Sequence, residues 1–345
     1  MPRSASRPSA GRAQRAEDKG TLFMPSLIDL QTLVYVGNAL SRPECVLATS
    51  SGRILTCDWR GGIVQIRPDG HQEFIGCPLE PGKSQLLPNG IALLPDGSIL
   101  AANLSDRGGV WRVTADGGME PHIVEADGEP LPPANFVAVD RWGRTWITVS
   151  TRKQPRSLAN RFAADDGFIV MKDEKGSRIV ADGFGFTNEV GIDPAGEWLY
   201  VNETFGRRLS RLPIRSDGSL GAKEVVVQFG HGTYPDGLAF DGEGAIWITS
   251  VISNRIIRVK PGEKPQILLE DSDPDHVQSV EDDFLADRFG PEHFTSSSGR
   301  YLTNISSLAF GGPDLRTVYI GSLGGTTIAS FRSPIPGHPP VHWDW

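Results

Sequence analysis

The stretch NEVGIDPAGEWLYVN (188–202) decides the fold. A polar residue opens it, apolar residues follow, a glycine stands eight positions after the opening residue, and a second apolar run closes it. Two short apolar runs flanking a tight turn of this kind form a β-hairpin. The same template returns in NGIALLPDGSILAAN (89–103), NFVAVDRWGRTWITV (135–149) and DGLAFDGEGAIWITS (236–250). Two weaker copies extend the series, ECVLATSSGRILTCD (44–58) and SSLAFGGPDLRTVYI (306–320), the last with Asp314 in the glycine slot. The opening residues stand at 44, 89, 135, 188, 236 and 306, at intervals of 45, 46, 53, 48 and 70. Between the hairpins lie further β-branched runs with turns of their own, such as 61–67 before Pro68-Asp69-Gly70 and 255–259 before Pro261-Gly262. Each unit therefore reads as four short strands, the size of a propeller blade at ~40–50 residues. The pattern predicts an all-β fold: a six-bladed β-propeller with four-stranded antiparallel blades around a central channel.

Composition supports this reading. The 345 residues include 40 Gly and 26 Pro, many more turn formers than an average globular chain carries, without a collagen period or a low-complexity tract. Segment 1–20 begins with an Arg- and Ser-rich run that builds no apolar stripe, so a disordered N-terminal tail is expected there, followed by a single propeller domain over 21–345. A transit peptide is the second reading of that tail. The formal net charge of -8 argues against a nucleic-acid partner, and no apolar run reaches the ~20 residues of a membrane helix. Three cysteines without metal or redox spacing read as reduced thiols in a cytoplasmic protein, with a Cys45–Cys57 bridge as the alternative. The long interval contains an insertion, about 271–300, with the acids Asp271, Asp273, Asp275, Glu281, Asp282 and Asp283 and the imidazoles His276 and His293. It reads as a solvated loop or short helix between blades; a second metal site or a substrate lid is the alternative.

Equivalent positions in different blades of a propeller converge on one axis, however far apart they are in sequence. The opening residues Glu44, Asn89, Asn135, Asn188, Asp236 and Ser306 are all polar, and each precedes an apolar strand. Six polar groups around a narrow channel are costly to bury unless water or an ion satisfies them. Carboxylate and amide oxygens suit a hard divalent cation, Ca²⁺ foremost, with Mg²⁺, Mn²⁺ or Zn²⁺ as alternatives. Glu44 and Asp236 supply two negative charges to match it. Asn and Asp also cap turns, and taken singly Asn89 and Ser306 fit that simpler role.

Pro43-Glu44 and the units ANFVAVDRWGRTWIT, FTNEVGIDPAGEWLYVNET and YPDGLAFDGEGAIWIT resemble the SMP-30/gluconolactonase/LRE-like (regucalcin-like) family, over about 42–328. The resemblance implies a six-bladed propeller that holds a divalent metal on Glu44, Asn135, Asn188 and Asp236. It also implies lactone hydrolysis, or phosphorus–fluorine hydrolysis as in the similar diisopropyl fluorophosphatases. Sugar-lactone members often carry an arginine two residues before the position of Asn135, and here that residue is Pro133. This departure argues against an aldonolactone substrate; Phe136, Phe184 and Phe186 nearby would suit a less polar lactone or ester, with ordinary packing as their simpler role.

The expected activity is a metal-dependent lactonase acting on a small-molecule lactone or ester. Organophosphate hydrolysis and a non-catalytic, metal-stabilised binding propeller are the alternatives. A metal so placed polarises the substrate carbonyl. The resemblance gives Asp236 the role of general base or nucleophile, and His231, five residues earlier, is a candidate proton relay. Asn89, Asn135 and Phe136 are candidates for substrate contact. Glu203 and Asp58, which follow the second strand of their hairpins, read as rim residues. No GxSxG elbow, P-loop or HExxH motif offers a competing chemistry.

Overall fold

The computed structural model of the chain describes residues 28–77, 86–297 and 299–345, so the expected N-terminal tail lies outside it. Within those residues six four-stranded antiparallel sheets follow one another along the chain. Their innermost strands are Val46–Ala48, Pro88–Leu93, Phe136–Val139, Thr187–Ile192, Thr233–Phe240 and Ile305–Gly311, each beginning within three residues of an opening residue of the repeat. The six-bladed propeller is therefore as the repeat predicts. The ring is closed by strand exchange: Val34–Val36, from the start of the described chain, forms the outermost strand of the sixth blade, with Val34 opposite Ser330 and Val36 opposite Ile328. Closure packs the sixth blade against the first, Ile305–Gly311 against Val46–Ala48, and so covers the two apolar blade faces that a linear array would expose.

The glycines eight residues on are backbone devices. Gly52, Gly97, Gly143, Gly196 and Gly244 have φ of 79, 81, 77, 77 and 78°, a left-handed turn conformation that costs other residues strain. In the sixth blade the left-handed residues are Gly312, at φ 72°, and Leu315, at φ 55°, on either side of the position the template assigns. Two other glycines serve close approach. A Cβ on Gly90 would meet Phe136 atoms at 2.4 Å, and one on Gly237 would meet the Ser306 carbonyl oxygen at 2.4 Å. Both follow an opening residue, and there the inner strands of adjacent blades nearly touch.

Apolar side chains between the sheets form the core, with Trp146 and Trp247 fully buried. At one end of the channel the chain's last residues lie across it: His338 donates its backbone N–H to the Phe240 carbonyl, Ser50 to that of Trp343, and Arg53 to a terminal oxygen of Trp345. A largely apolar cavity of about 310 Å³ remains between this strap and the inner strands. The strand-opening residues stand at the other end.

The insertion is a helix and more than a solvated loop. Helix α1, Pro274–Leu285, starts at an Asp273 cap with Pro274 in the first turn, and it buries Val277, Val280, Glu281 and Phe284. From that i, i+3, i+4, i+7 stripe, Val280 and Phe284 pack with Phe186, Phe205, Tyr234 and Phe289. Inside the contact, Arg207 grips Glu281 through both guanidinium nitrogens and also donates to the Tyr234 hydroxyl. Asp271 ties down the returning chain by accepting the N–H groups of Arg300, Tyr301 and Leu302. Among the described residues no helix is long and apolar enough to cross a membrane.

Candidate metal centre

All six opening residues are buried, none more than 5% exposed. Two structural devices aim them at the channel. In blades 2, 4, 5 and 6 the register between the first two strands slips at the opening residue, between Pro88 and Ile91, Thr187 and Val190, Pro235 and Leu238, and Ile305 and Ser307. A bulge of this type turns a side chain out of the sheet's alternation. The second device is a belt of hydrogen bonds between blades. Asn89 Nδ2 donates to the Asn135 carbonyl (2.9 Å), Asn202 Nδ2 to that of Asp236 (3.0 Å), Thr249 Oγ1 to that of Ser306 (2.7 Å), and Ser306 Oγ to that of Glu44 (2.8 Å).

The amide groups are half satisfied, and all in the same sense. Asn89 and Asn188 commit Nδ2 to protein partners, Asn188 to Thr204 Oγ1 at 2.9 Å, while Oδ1 of Asn89, Asn135 and Asn188 is buried without a hydrogen-bond partner. Buried acceptors in this condition are rare and each calls for an occupant. The carboxylates tell the same story. Glu44 is held from one side, its Oε2 3.0 Å from Arg42 Nε and 2.8 Å from Nη2. Asp236 has its pKa pushed well above the usual carboxylate range, first by burial, then by the charges of Glu44 and Glu189. Arg42 and a hydrogen bond from Asn188 only partly oppose this.

A divalent cation answers both deficits. It supplies charge to two carboxylates and a partner to amide oxygens, and hard cations favour oxygen donors. Glu44, Asn135, Asn188 and Asp236 would hold it, with the Asn89 oxygen a further candidate. Among the described residues no three His, Cys, Asp or Glu side chains are grouped closely enough to bind a metal by themselves. That is consistent with a set whose remaining oxygens are amides.

Other expected residues lie elsewhere. His231 is exposed, with its Nε2 3.1 Å from Gln278 Oε1 on α1, and no hydrogen bond joins it to Asp236. Phe136 and Phe184 belong to the main core cluster, whereas Phe186 joins the cluster packed against α1. Glu203 and Asp58 are not rim groups: both are fully buried, Glu203 accepting from Gly185 N–H, Arg208 and Ser210, and Asp58 from Arg60 and the N–H of Ser41. Cys45 and Cys57 are buried and unbridged, the Cys45 N–H donating to Cys57 Sγ at 3.3 Å.

Sequence reading passed over three groups. Glu189 follows Asn188 where the other blades carry Cys45, Gly90, Phe136, Gly237 and Ser307. Its charge in that company is the available signal. It is buried, accepts the Leu238 N–H at 3.1 Å, and has its pKa pushed up to about 8, by burial first and then by the Glu44 charge, against the hydrogen bonds from Leu238 and Ser307. Arg42 stacks over Trp59 at 4.2 Å as it grips Glu44. Arg156 is brought to the ring by the long segment between the second and third strands of blade 3, and no local pattern marks it.

Comparison with known proteins agrees with this architecture. The profile of the SMP-30/Gluconolactonase/LRE-like region matches residues 43–267. A 6-deoxy-6-sulfogluconolactonase of Pseudomonas putida is 29% identical over 220 residues, 63% of this chain; the match likewise spans only 63% of that relative's length. Among solved structures, a gluconolactonase of Xanthomonas campestris aligns with a TM-score of 0.64 at 17% identity, covering 88% of this chain and 89% of that one. A calcium-binding protein, regucalcin, of Agrobacterium tumefaciens aligns with a TM-score of 0.62 at 17% identity, covering 88% and 96%. At these identities the two structures speak for the fold alone.

Proposed function

The chain belongs to the SMP-30/gluconolactonase/LRE-like family, and from that premise we propose that it is a divalent-cation-dependent hydrolase that opens the ring of a small-molecule lactone. One observation carries the reading: three buried Asn oxygens without partners share a channel end with two buried carboxylates. The names of the relatives add lactone opening as the reaction. Calcium is the first choice of ion, by the oxygen-only donor set.

When bound, the cation supplies Lewis acidity to the substrate carbonyl and lowers the cost of the oxyanion formed on it. The protein does the remainder. Asp236 is the general base: water attacks the lactone carbon, its proton passes to an Asp236 carboxylate oxygen, the ring C–O bond breaks, and the alkoxide leaving group takes up a proton to give a hydroxy acid. Arg42 holds Glu44 in place, and Thr204 orients the Asn188 amide so that its oxygen faces the channel. His231 has no part in this scheme, because its partner is Gln278.

The test is a panel of aliphatic, aromatic and sugar lactones with organophosphate esters, assayed with Ca²⁺, Mg²⁺, Mn²⁺ or Zn²⁺. At least one lactone should be hydrolysed in a cation-dependent way, with Asp236→Asn lowering kcat by on the order of 10²–10⁴-fold. Activity that survives this substitution refutes the role of Asp236. A cation that raises the melting temperature while no compound on the panel reacts favours a binding propeller.

A further inference from the structure

The ring end of the channel contains a guanidinium whose partners are incomplete. Arg156 stands at the start of a 3-10 turn, Arg156–Ala159, between the second and third strands of blade 3. Its Nη2 donates to Ser150 Oγ at 3.0 Å, and its carbon lies 5.3 Å from the centre of the Phe186 ring. Its Nε is buried without any partner. Arg207 and Arg258, also inside the protein, each grip a carboxylate, but Arg156 has no ion-pair partner among the described residues. Both Arg156 contacts stand next to Asn188: Phe186 is two residues before it, and Ser150 and Thr187 flank Gly167, where a Cβ would meet the Ser150 carbonyl at 2.7 Å and Thr187 Oγ1 at 2.2 Å, so Arg156 sits at the ring.

Charge counting at that end gives the next step. A divalent cation is balanced by Glu44 and Asp236, and Arg42 is already gripped to Glu44, which leaves Arg156 beside the ring with no carboxylate of its own among the described residues. A partly desolvated guanidinium without a counter-ion favours an anion, which it binds through charge-assisted, directional hydrogen bonds. Arg42 already has Glu44, so Arg156 has the donors to offer.

We propose that Arg156 forms an anion subsite, and that the substrate is a lactone bearing a sulfonate, phosphate or carboxylate away from the ring carbonyl. This rests on the lactonase reading above, which it narrows to a substrate class. Arg156 is a specificity-determining residue in this scheme: it contacts the substituent and takes no part in bond making or breaking.

The experiment compares glucono-1,5-lactone with its 6-phosphorylated counterpart, using the full chain loaded with Ca²⁺. The wild type should favour the anionic lactone in kcat/KM. Arg156→Met should lower kcat/KM for the anionic lactone about 10–100-fold more than for the neutral one, mainly through KM, and Arg156→Lys should restore part of the difference. Equal losses on both lactones, or a wild type without preference, overturn the proposal. Binding of gluconate and 6-phosphogluconate by calorimetry gives a second readout that needs no turnover. Tighter binding of 6-phosphogluconate that depends on Arg156, in a protein that opens neither lactone, keeps the subsite and rejects the lactonase reading. Hydrolysis of both lactones without such binding does the reverse. Thermal melts of each variant identify any that fails to fold, in which case Arg156→Lys alone decides through its intermediate preference.

Discussion

The inner strand of blade 5 carries a buried aspartate near its start and another just past its end, and the two live in opposite circumstances. Asp241 is 1% exposed and fully paired: Oδ1 accepts the N–H groups of Glu243 and Ala245, both at 2.9 Å, and Oδ2 accepts Trp247 Nε1 at 3.0 Å and Arg258 Nε at 2.7 Å. Asp140 in blade 3 repeats the arrangement, with Trp142 and Arg144 N–H groups, Trp146 Nε1 and Arg144 Nε as donors. Asp236 is buried to a similar degree, at 4%, yet its pKa is driven upward, by burial first and then by the charges of Glu44 and Glu189. A buried charge that the protein neutralises by itself is structural; one left in deficit is kept for something the chain does not supply. Burial alone separates nothing here.

The largest effect should come from removing the satisfied carboxylate. Asp241→Ala strands an indole N–H, an arginine and two backbone donors, and should cost about 3–5 kcal/mol in urea unfolding. Asp236→Ala should cost much less, or even stabilise the cation-free protein. Equal losses would erase the distinction between the two ends.

The second effect is a pH slope of unusual sign. The folded-state pKa values of Asp236 and Glu189 lie above those of the unfolded chain, so the native state binds more protons. Stability without added cation is then full below the unfolded carboxylate pKa, near 4, and falls as pH rises through the window that ends at about 8 for Glu189. Each group contributes up to ~1.4 kcal/mol per pH unit inside its window. Calcium at a hundred times its dissociation constant should return about 2.7 kcal/mol and flatten the slope, because it holds Asp236 ionised. Melting curves at pH 5 and pH 8, with chelator and with calcium, check this. A slope unaffected by calcium would detach Asp236 from the ion.

The smallest effect lies within the ring. Glu44→Gln removes a ligand charge and should weaken calcium binding more than Asn89→Ala, which removes an amide already tied to the Asn135 carbonyl. Calorimetric titration of both variants ranks them. Equal weakening would make the Asn89 oxygen a full ligand.

Much of this was legible in the chain. Five glycines at a fixed offset measured the blades, because a left-handed turn leaves a mark in sequence. The polar residue opening each unit marked the ring, because a repeat places equivalent positions on one axis. Glu203 and Asp58 were misplaced, since whether an acid at a strand end meets solvent or a set of donors depends on neighbours from other segments. The insertion showed its acids, but its apolar stripe had no visible counterpart until α1 met Phe205 and Tyr234.

The sequence by itself determined the fold, the blade count and the ring of strand-opening residues, because these follow from local turn chemistry repeated at intervals. Only the tertiary structure decided which ring oxygens lack partners, that Glu189 shares the site, and that Arg156 reaches it from another blade's loop. Hydrogen-bond satisfaction and charge balance are sums over groups distant in the chain, and they acquire a value only when the ring has closed.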